Sequence, residues 1–199
     1  MYLSSRILSF SDFNCVYCYA LNTWLEEFEL QNHVKWVGVQ YHPAILEQKC
    51  TPQVFEEYLD KHLGRVMRFA PEVPVLPPTQ WIDTSFAMAV QGAIEDDFPD
   101  KAPALRSLLF QQLWLHHKNI SSKEVLDECL KTLQLPALEA LYVDDKIISQ
   151  QSNWWLGELG QLPSLIAPTG ARQLGLQRKH EVKNFILGAL LESPEGHSC

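Results

Sequence analysis

Cys15 and Cys18 stand two residues apart in Cys15-Val16-Tyr17-Cys18. That spacing suits disulfide exchange, in which one thiolate attacks a disulfide and a second thiol resolves the mixed disulfide. The run Phe13-Asn14-Cys15-Val16-Tyr17-Cys18-Tyr19 carries no carboxylate, so only the neighbouring Asp12 opposes a thiolate with negative charge. Half of a zinc site has the same spacing. No second cysteine pair or cysteine–histidine pair with ligand spacing follows, however, and His116 and His117 fall on different helix faces, so no metal is expected. Two core cysteines spaced by accident are the remaining alternative, and the elements around the pair weigh against that.

Those elements begin with Ile7-Leu8-Ser9-Phe10, a short apolar run closed by the turn formers Ser11, Asp12 and Asn14, which reads as a buried strand. From Cys15 the pattern turns helical. Tyr17, Leu21, Trp24, Leu25 and Phe28 recur every three to four residues, with Asn14 as the expected N-cap. Cys15 then falls in the first turn, where unpaired amides favour its thiolate, and Cys18 falls one turn deeper. The stretch from His33 to Tyr41 alternates as a second strand would, and strand, helix, strand favours a parallel pair. The cysteines thus stand at a strand-to-helix junction, where sites in open α/β sheets belong.

Residues 51–153 show helix signatures and no convincing strand. Thr51-Pro52 opens a helix with Phe55, Leu59, His62, Leu63 and Val66 on one face, and the prolines from Pro71 to Pro78 stop it. Further helices are indicated by Ile82 to Ala93, by Leu105 to Leu113, and by the capping box Ser121-Ser122-Lys123-Glu124 ahead of Val125, Leu126, Cys129, Leu130 and Leu133. Another is expected to run unevenly from Leu135-Pro136 to Trp154 and Trp155. After it come the apolar run Gln161 to Ala167, a turn at Pro168-Thr169-Gly170, a returning strand from Ala171 to Gly175, and a closing helix from Lys179 to Leu191.

With 199 residues, 46% of them hydrophobic, the chain is long enough for a sizeable core without staples. A net charge of −8 argues against a nucleic-acid partner. No segment is apolar for long enough to span a bilayer, and Met1 to Phe10 has a polar break where a secretory peptide needs an unbroken apolar run. The expectation is a soluble, cytoplasmic protein without membrane partners. The other cysteines read as ordinary thiols, Cys129 as a small buried hydrophobe, Cys50 as a surface or packing residue and Cys199 as part of the tail. His33, His42 and His62 have no recognisable partner. Trp154 and Trp155 precede the segment around Pro163 and could line a groove, although tryptophans at helical spacing are more often core.

Together, the strand with Ser11-Asp12-Phe13, the segment Cys15-Val16-Tyr17-Cys18-Tyr19, the helical middle and Leu162-Pro163-Ser164-Leu165-Ile166 resemble the DsbA-like thioredoxin-fold family, most of all its cytoplasmic FrnE-type branch. The resemblance implies an α/β chain. Residues 1–50 and 154–199 would form a thioredoxin-like domain, interrupted by an all-helical insertion domain over 51–153. It also implies that Pro163 is a cis-proline opposite the cysteine pair, and that Leu162 before it offers backbone hydrogen bonds to substrate. From the residues alone, a proline opening an apolar strand is equally compatible with a trans residue at a sheet edge.

The candidate catalytic residues are therefore Cys15 and Cys18, the candidate substrate-binding residues Leu162 and Pro163, and the supporting residues Asn14 and Tyr17. The implied activity is reversible thiol–disulfide exchange on protein or small-thiol substrates. No cofactor is expected, with glutathione a candidate co-substrate. Periplasmic relatives carry proline and histidine between the cysteines, whereas Val16-Tyr17 lacks an imidazole, so a milder oxidant is expected. The related 2-hydroxychromene-2-carboxylate isomerases and kappa-class glutathione transferases share the helical insertion but typically lack an intact cysteine pair. They supply the alternative of a glutathione-dependent isomerase or transferase, and a non-catalytic redox-sensing module is a third.

Overall fold

A computed structural model describes residues 6–40, 52–76, 78, 81–144 and 146–192, with the backbone alone at 52–55, 58 and 59. Cys50, Thr51, His42, Cys199 and the side chains of Phe55 and Leu59 lie outside the described residues.

The strand expected after the amino terminus is β1 (Ile7–Ser11), and the periodic stretch behind it is α1 (Val16–Glu27). A short 3-10 turn then leads into β2 (Val34–Gly38), which runs parallel to β1 with Ile7 opposite Val34 and Ser11 opposite Gly38. Near the end of the chain β3 (Ser164–Ile166) pairs antiparallel with β1, and β4 (Arg172–Leu174) pairs antiparallel with β3. The sheet order is β2-β1-β3-β4. Between β2 and β3 lie α2 (Pro52–Phe69), α3 (Ser85–Asp97), α4 (Ala102–Trp114), α5 (Lys123–Thr132) and α6 (Ile147–Glu158), and α7 (Lys179–Leu191) closes the chain. Among the described residues this middle region holds no strand.

β1 is central, and its two faces bury different neighbours. Ser9 and Ser11 look toward Cys18 and Leu21 of α1 and Phe110 of α4, whereas Phe10 on the opposite face meets Trp154 of α6 with ring centroids 5.2 Å apart. Gly38 ends β2 where α3 approaches closely. A Cβ there would stand 2.9 Å from both the Met88 Cβ and the Trp36 ring, so glycine permits this packing. The expected change of domain between residues 153 and 154 falls inside α6, which packs against both β2 and α3.

Three local expectations need correction. Cys15, not Asn14, holds the N-cap position of α1, with extended backbone at φ −89° and ψ 110°. Ser122, not Ser121, caps α5, its hydroxyl accepting from the Val125 N–H while the Ser121 hydroxyl donates to the Asp83 carbonyl. The uneven helix after Pro136 is instead a 3-10 turn at Leu138–Ala140, a loop, and then α6. The Leu138 N–H donates to the Asp127 carboxylate at 2.9 Å, which anchors that turn to α5 rather than letting a helix start there.

Candidate functional site

The loop between β1 and α1 is built from polar bonds that cross into the helical region. The carboxylate of Asp12, buried in the loop, accepts from the Asn14 N–H and from the Thr84 hydroxyl, both at 2.9 Å. Asn14 donates its side-chain amide to the Ile82 carbonyl at 2.8 Å, which ties the side chain to the segment before α3. The Trp114 indole N–H donates to the Phe13 carbonyl, also at 2.8 Å. Three consecutive loop residues are thus held by the segment before α3 and the last residue of α4. Sequence reasoning missed these clamps, because partners about seventy to a hundred residues away leave no local pattern.

Within this frame the two thiols differ. Cys15 and Cys18 are both buried, but only Cys15 reaches the wall of an open cleft of about 580 Å³. Cys15 stands at the amino end of α1, where the Cys18 and Tyr19 N–H groups donate to its carbonyl. At that end the helix dipole and first-turn amides favour negative charge. Cys18 lies behind it on the β1 side. Burial pushes its thiol well above the ordinary range, the hydrogen bond and charge of Cys15 push it the same way, and bonds from the Asp12 backbone and the Ser11 side chain act weakly against them. Cys18 therefore keeps its proton.

The rest of the cleft wall comes from two other places. Leu162 lines it from the strand side, together with Gln161 and the chain just after β4. The Leu162–Pro163 peptide bond is cis, in agreement with the expectation for this proline. Continuing the β1–β3 register two residues past Phe10 opposite Ser164 sets Pro163 and Leu162 against Ser11 and Asp12, beside the cysteine loop. Pro163 itself is buried and is not among the lining residues.

Opposite Leu162, α2 contributes His62, Arg65, Arg68 and Phe69. His62 does have a partner, since its Nδ1 lies 3.0 Å from the Tyr17 hydroxyl and the two rings meet edge to face. That contact joins the cysteine spacer to the helical region. The helical spacing had shown one face of α2, but nothing in it told that the face turns toward Cys15.

The remaining candidates fall outside the cleft. Trp155 is buried and donates to the Gln161 carbonyl, and half-buried Trp154 packs against the core on Phe10. Cys129 is buried on α5, with burial pushing its thiol up to about 11. Among the described residues no cluster of His, Cys, Asp and Glu is arranged to hold a metal, and no helix is long and apolar enough to cross a membrane.

No protein-family model matches this chain, and no curated protein sequence does. Solved structures do. A probable DsbA oxidoreductase from Streptomyces coelicolor superposes with a TM-score of 0.66 at 14% identity, over 94% of this chain and 90% of that one. A candidate protein disulfide isomerase from Nitrosomonas europaea gives 0.69 at 14% identity, over 96% and 98%. A 2-hydroxychromene-2-carboxylate isomerase gives 0.69 at 11% identity, over 96% and 99%. The chain has the DsbA-like thioredoxin fold with its helical insertion.

Proposed function

We propose that this chain, built on the DsbA-like thioredoxin fold, is a thiol–disulfide oxidoreductase that exchanges dithiol and disulfide with protein or small-thiol substrates through Cys15 and Cys18. The observation that carries this reading is the asymmetry of the pair. One thiol opens on a cleft at a helix amino end, while the other is sealed behind it and kept protonated by burial.

In the reducing direction the Cys15 thiolate attacks one sulfur of the substrate disulfide. The substrate S–S bond breaks, a Cys15–substrate disulfide forms, and the departing thiolate takes a proton. Cys18 then attacks the Cys15 sulfur, giving up its proton to the second departing thiolate as the Cys15–Cys18 bond forms. Two electrons pass from the dithiol to the substrate, and the reverse sequence oxidises a substrate dithiol. Leu162 supplies backbone beside the incoming chain and Pro163 fixes its direction. Work in the cytoplasm belongs to this reading, supported by an odd number of scattered cysteines that suits a reducing compartment.

Wild type is expected to reduce insulin disulfides with turnover, Cys15→Ser to lose at least about a thousandfold as the nucleophile disappears, and Cys18→Ser to accumulate a mixed disulfide trapped at Cys15. Undiminished turnover in Cys15→Ser would overturn the proposal. The likeness to the isomerase supports a second reading, glutathione-dependent isomerisation. Turnover that requires glutathione and survives Cys18→Ser would favour it.

A further inference from the structure

Among the described residues, the arginines that line the cleft beside Cys15 face no lining carboxylate, in a protein whose overall charge is −8. His62, Arg65 and Arg68 recur every three residues on α2, which sets them along one face, and all three line the cleft that Cys15 reaches. Arg65 and Arg68 are exposed, and among the described residues neither guanidinium has an ion-pair or hydrogen-bond partner. Arg106, by contrast, is buried against Glu95 and Asn22. Arg68 lies in the last turn of α2, where the helix dipole welcomes a cation. That accounts for one basic residue, but not for two on the wall of the cleft that Cys15 reaches, neither of them paired among the described residues.

Deepening the proposed exchange activity, on which this inference rests, we propose that Arg65 and Arg68 are specificity residues selecting disulfides flanked by carboxylates. A guanidinium presents its donors in a planar fork that matches a carboxylate, so two of them beside the nucleophile hold an acidic substrate with its sulfur toward Cys15. Phe69 adds an apolar surface at the same wall. A cleft of about 580 Å³ accommodates a few residues around a half-cystine, not a folded domain. The chemistry of the step is unchanged: Cys15 attacks the half-cystine, the mixed disulfide forms, and Cys18 resolves it. Carboxylates of this kind occur on an acidic peptide segment and on glutathione.

The test measures kcat/KM of the full chain with three disulfide-bonded peptides of equal length whose half-cystines are flanked by Glu, Gln or Lys, and separately with glutathione disulfide. The Glu peptide is expected to exceed the Gln peptide about tenfold at low salt, with Lys slowest, and the advantage to shrink severalfold at 0.5 M salt as exposed charges are screened. In Arg65→Gln/Arg68→Gln the Glu-to-Gln ratio falls to about one, and in Arg65→Glu/Arg68→Glu it inverts. Glutathione disulfide matching the Glu peptide assigns the cleft to small anionic disulfides, while a clear Glu-peptide advantage over it assigns the cleft to acidic client segments. Equal rates for all three peptides, or slower exchange of the Glu peptide as the net negative charge alone would give, overturn this inference and leave the exchange activity standing. No exchange with any disulfide overturns both. The salt dependence of the wild-type ratio needs no variant, so the outcome does not hang on a substitution folding.

Discussion

Two arginine sites on the helical insertion stand in opposite states. Arg106 of α4 is almost wholly buried, its Nη1 3.2 Å from the Glu95 carboxylate and its Nε donating to the Asn22 side-chain carbonyl at 2.7 Å. Arg65 and Arg68 of α2 are exposed along the cleft and unpaired among the described residues. Burial draws the Arg106 guanidinium down and pushes the Glu95 carboxyl up, so for both partners desolvation outweighs their mutual attraction. The pair is therefore a seam that holds α3, α4 and α1 in one arrangement, and it adds little net stability. The contrast separates a charge whose partner is built into the protein from charges that await one.

The largest expected effect comes from breaking the built-in pair. Arg106→Met leaves the Glu95 carboxylate buried with only the Arg6 Nη1, 3.8 Å away, as a cationic neighbour, and is expected to lower unfolding stability by about 3 kcal/mol, read from urea midpoints. Glu95→Leu/Arg106→Met should recover most of that loss, and a double variant as unstable as the sum of the single ones would show the two residues acting independently. Substitutions of Arg65 and Arg68 should change stability by no more than about 0.5 kcal/mol, as surface positions do.

A smaller effect concerns pH. The Glu95 carboxyl titrates above its ordinary value in the folded chain, chiefly through burial. Its contribution to stability is therefore fully present below the ordinary carboxylate range and is lost as pH rises from there through the raised value. This slope is opposite to that of Glu72, whose carboxyl is held below the ordinary value, first by its bond to Lys179, and whose small exposed contribution fades as pH falls. Denaturant midpoints of wild type and Glu95→Gln, compared from pH 4.5 upward, should show the wild type losing stability relative to the variant. Parallel curves would contradict the assignment.

A further modest effect tests the contact between the cysteine spacer and α2. Tyr17→Phe removes the hydroxyl bonded to His62 and should cost about 1 kcal/mol or less in stability, as a partly exposed hydrogen bond does. It should also reduce the preference for the Glu-flanked peptide without reducing alkylation of Cys15. An unchanged preference would mean that α2 is held against Cys15 by other contacts.

Much of the framework was legible because local patterns report local structure. The apolar run of β1, the spacing of Tyr17, Leu21, Trp24 and Leu25 in α1, and the inner face Val182, Ile186 and Ala189 of α7 each follow from burial on one side. The cysteine pair was legible by its place after a strand. What escaped depends on pairing across the chain. Asn14 is a good cap by local chemistry, but the helix starts one residue later and the Asn14 side chain binds the Ile82 carbonyl, sixty-eight residues away. In the same way, His62 looked partnerless until α2 was brought over Tyr17, and the arginine face pointed nowhere until the cleft existed.

The clamps on the cysteine loop also impose a schedule. Thr84, Ile82 and Trp114 follow their partners Asp12, Asn14 and Phe13 by 68 to 101 residues. At roughly 5–20 residues per second, a ribosome takes about 3 to 20 seconds to deliver them. For that interval the nascent chain carries Cys15 and Cys18 beside a loop whose enclosure has not yet been made. A thiol buried in the finished protein is, while the protein is being synthesised, open to any electrophile in its surroundings.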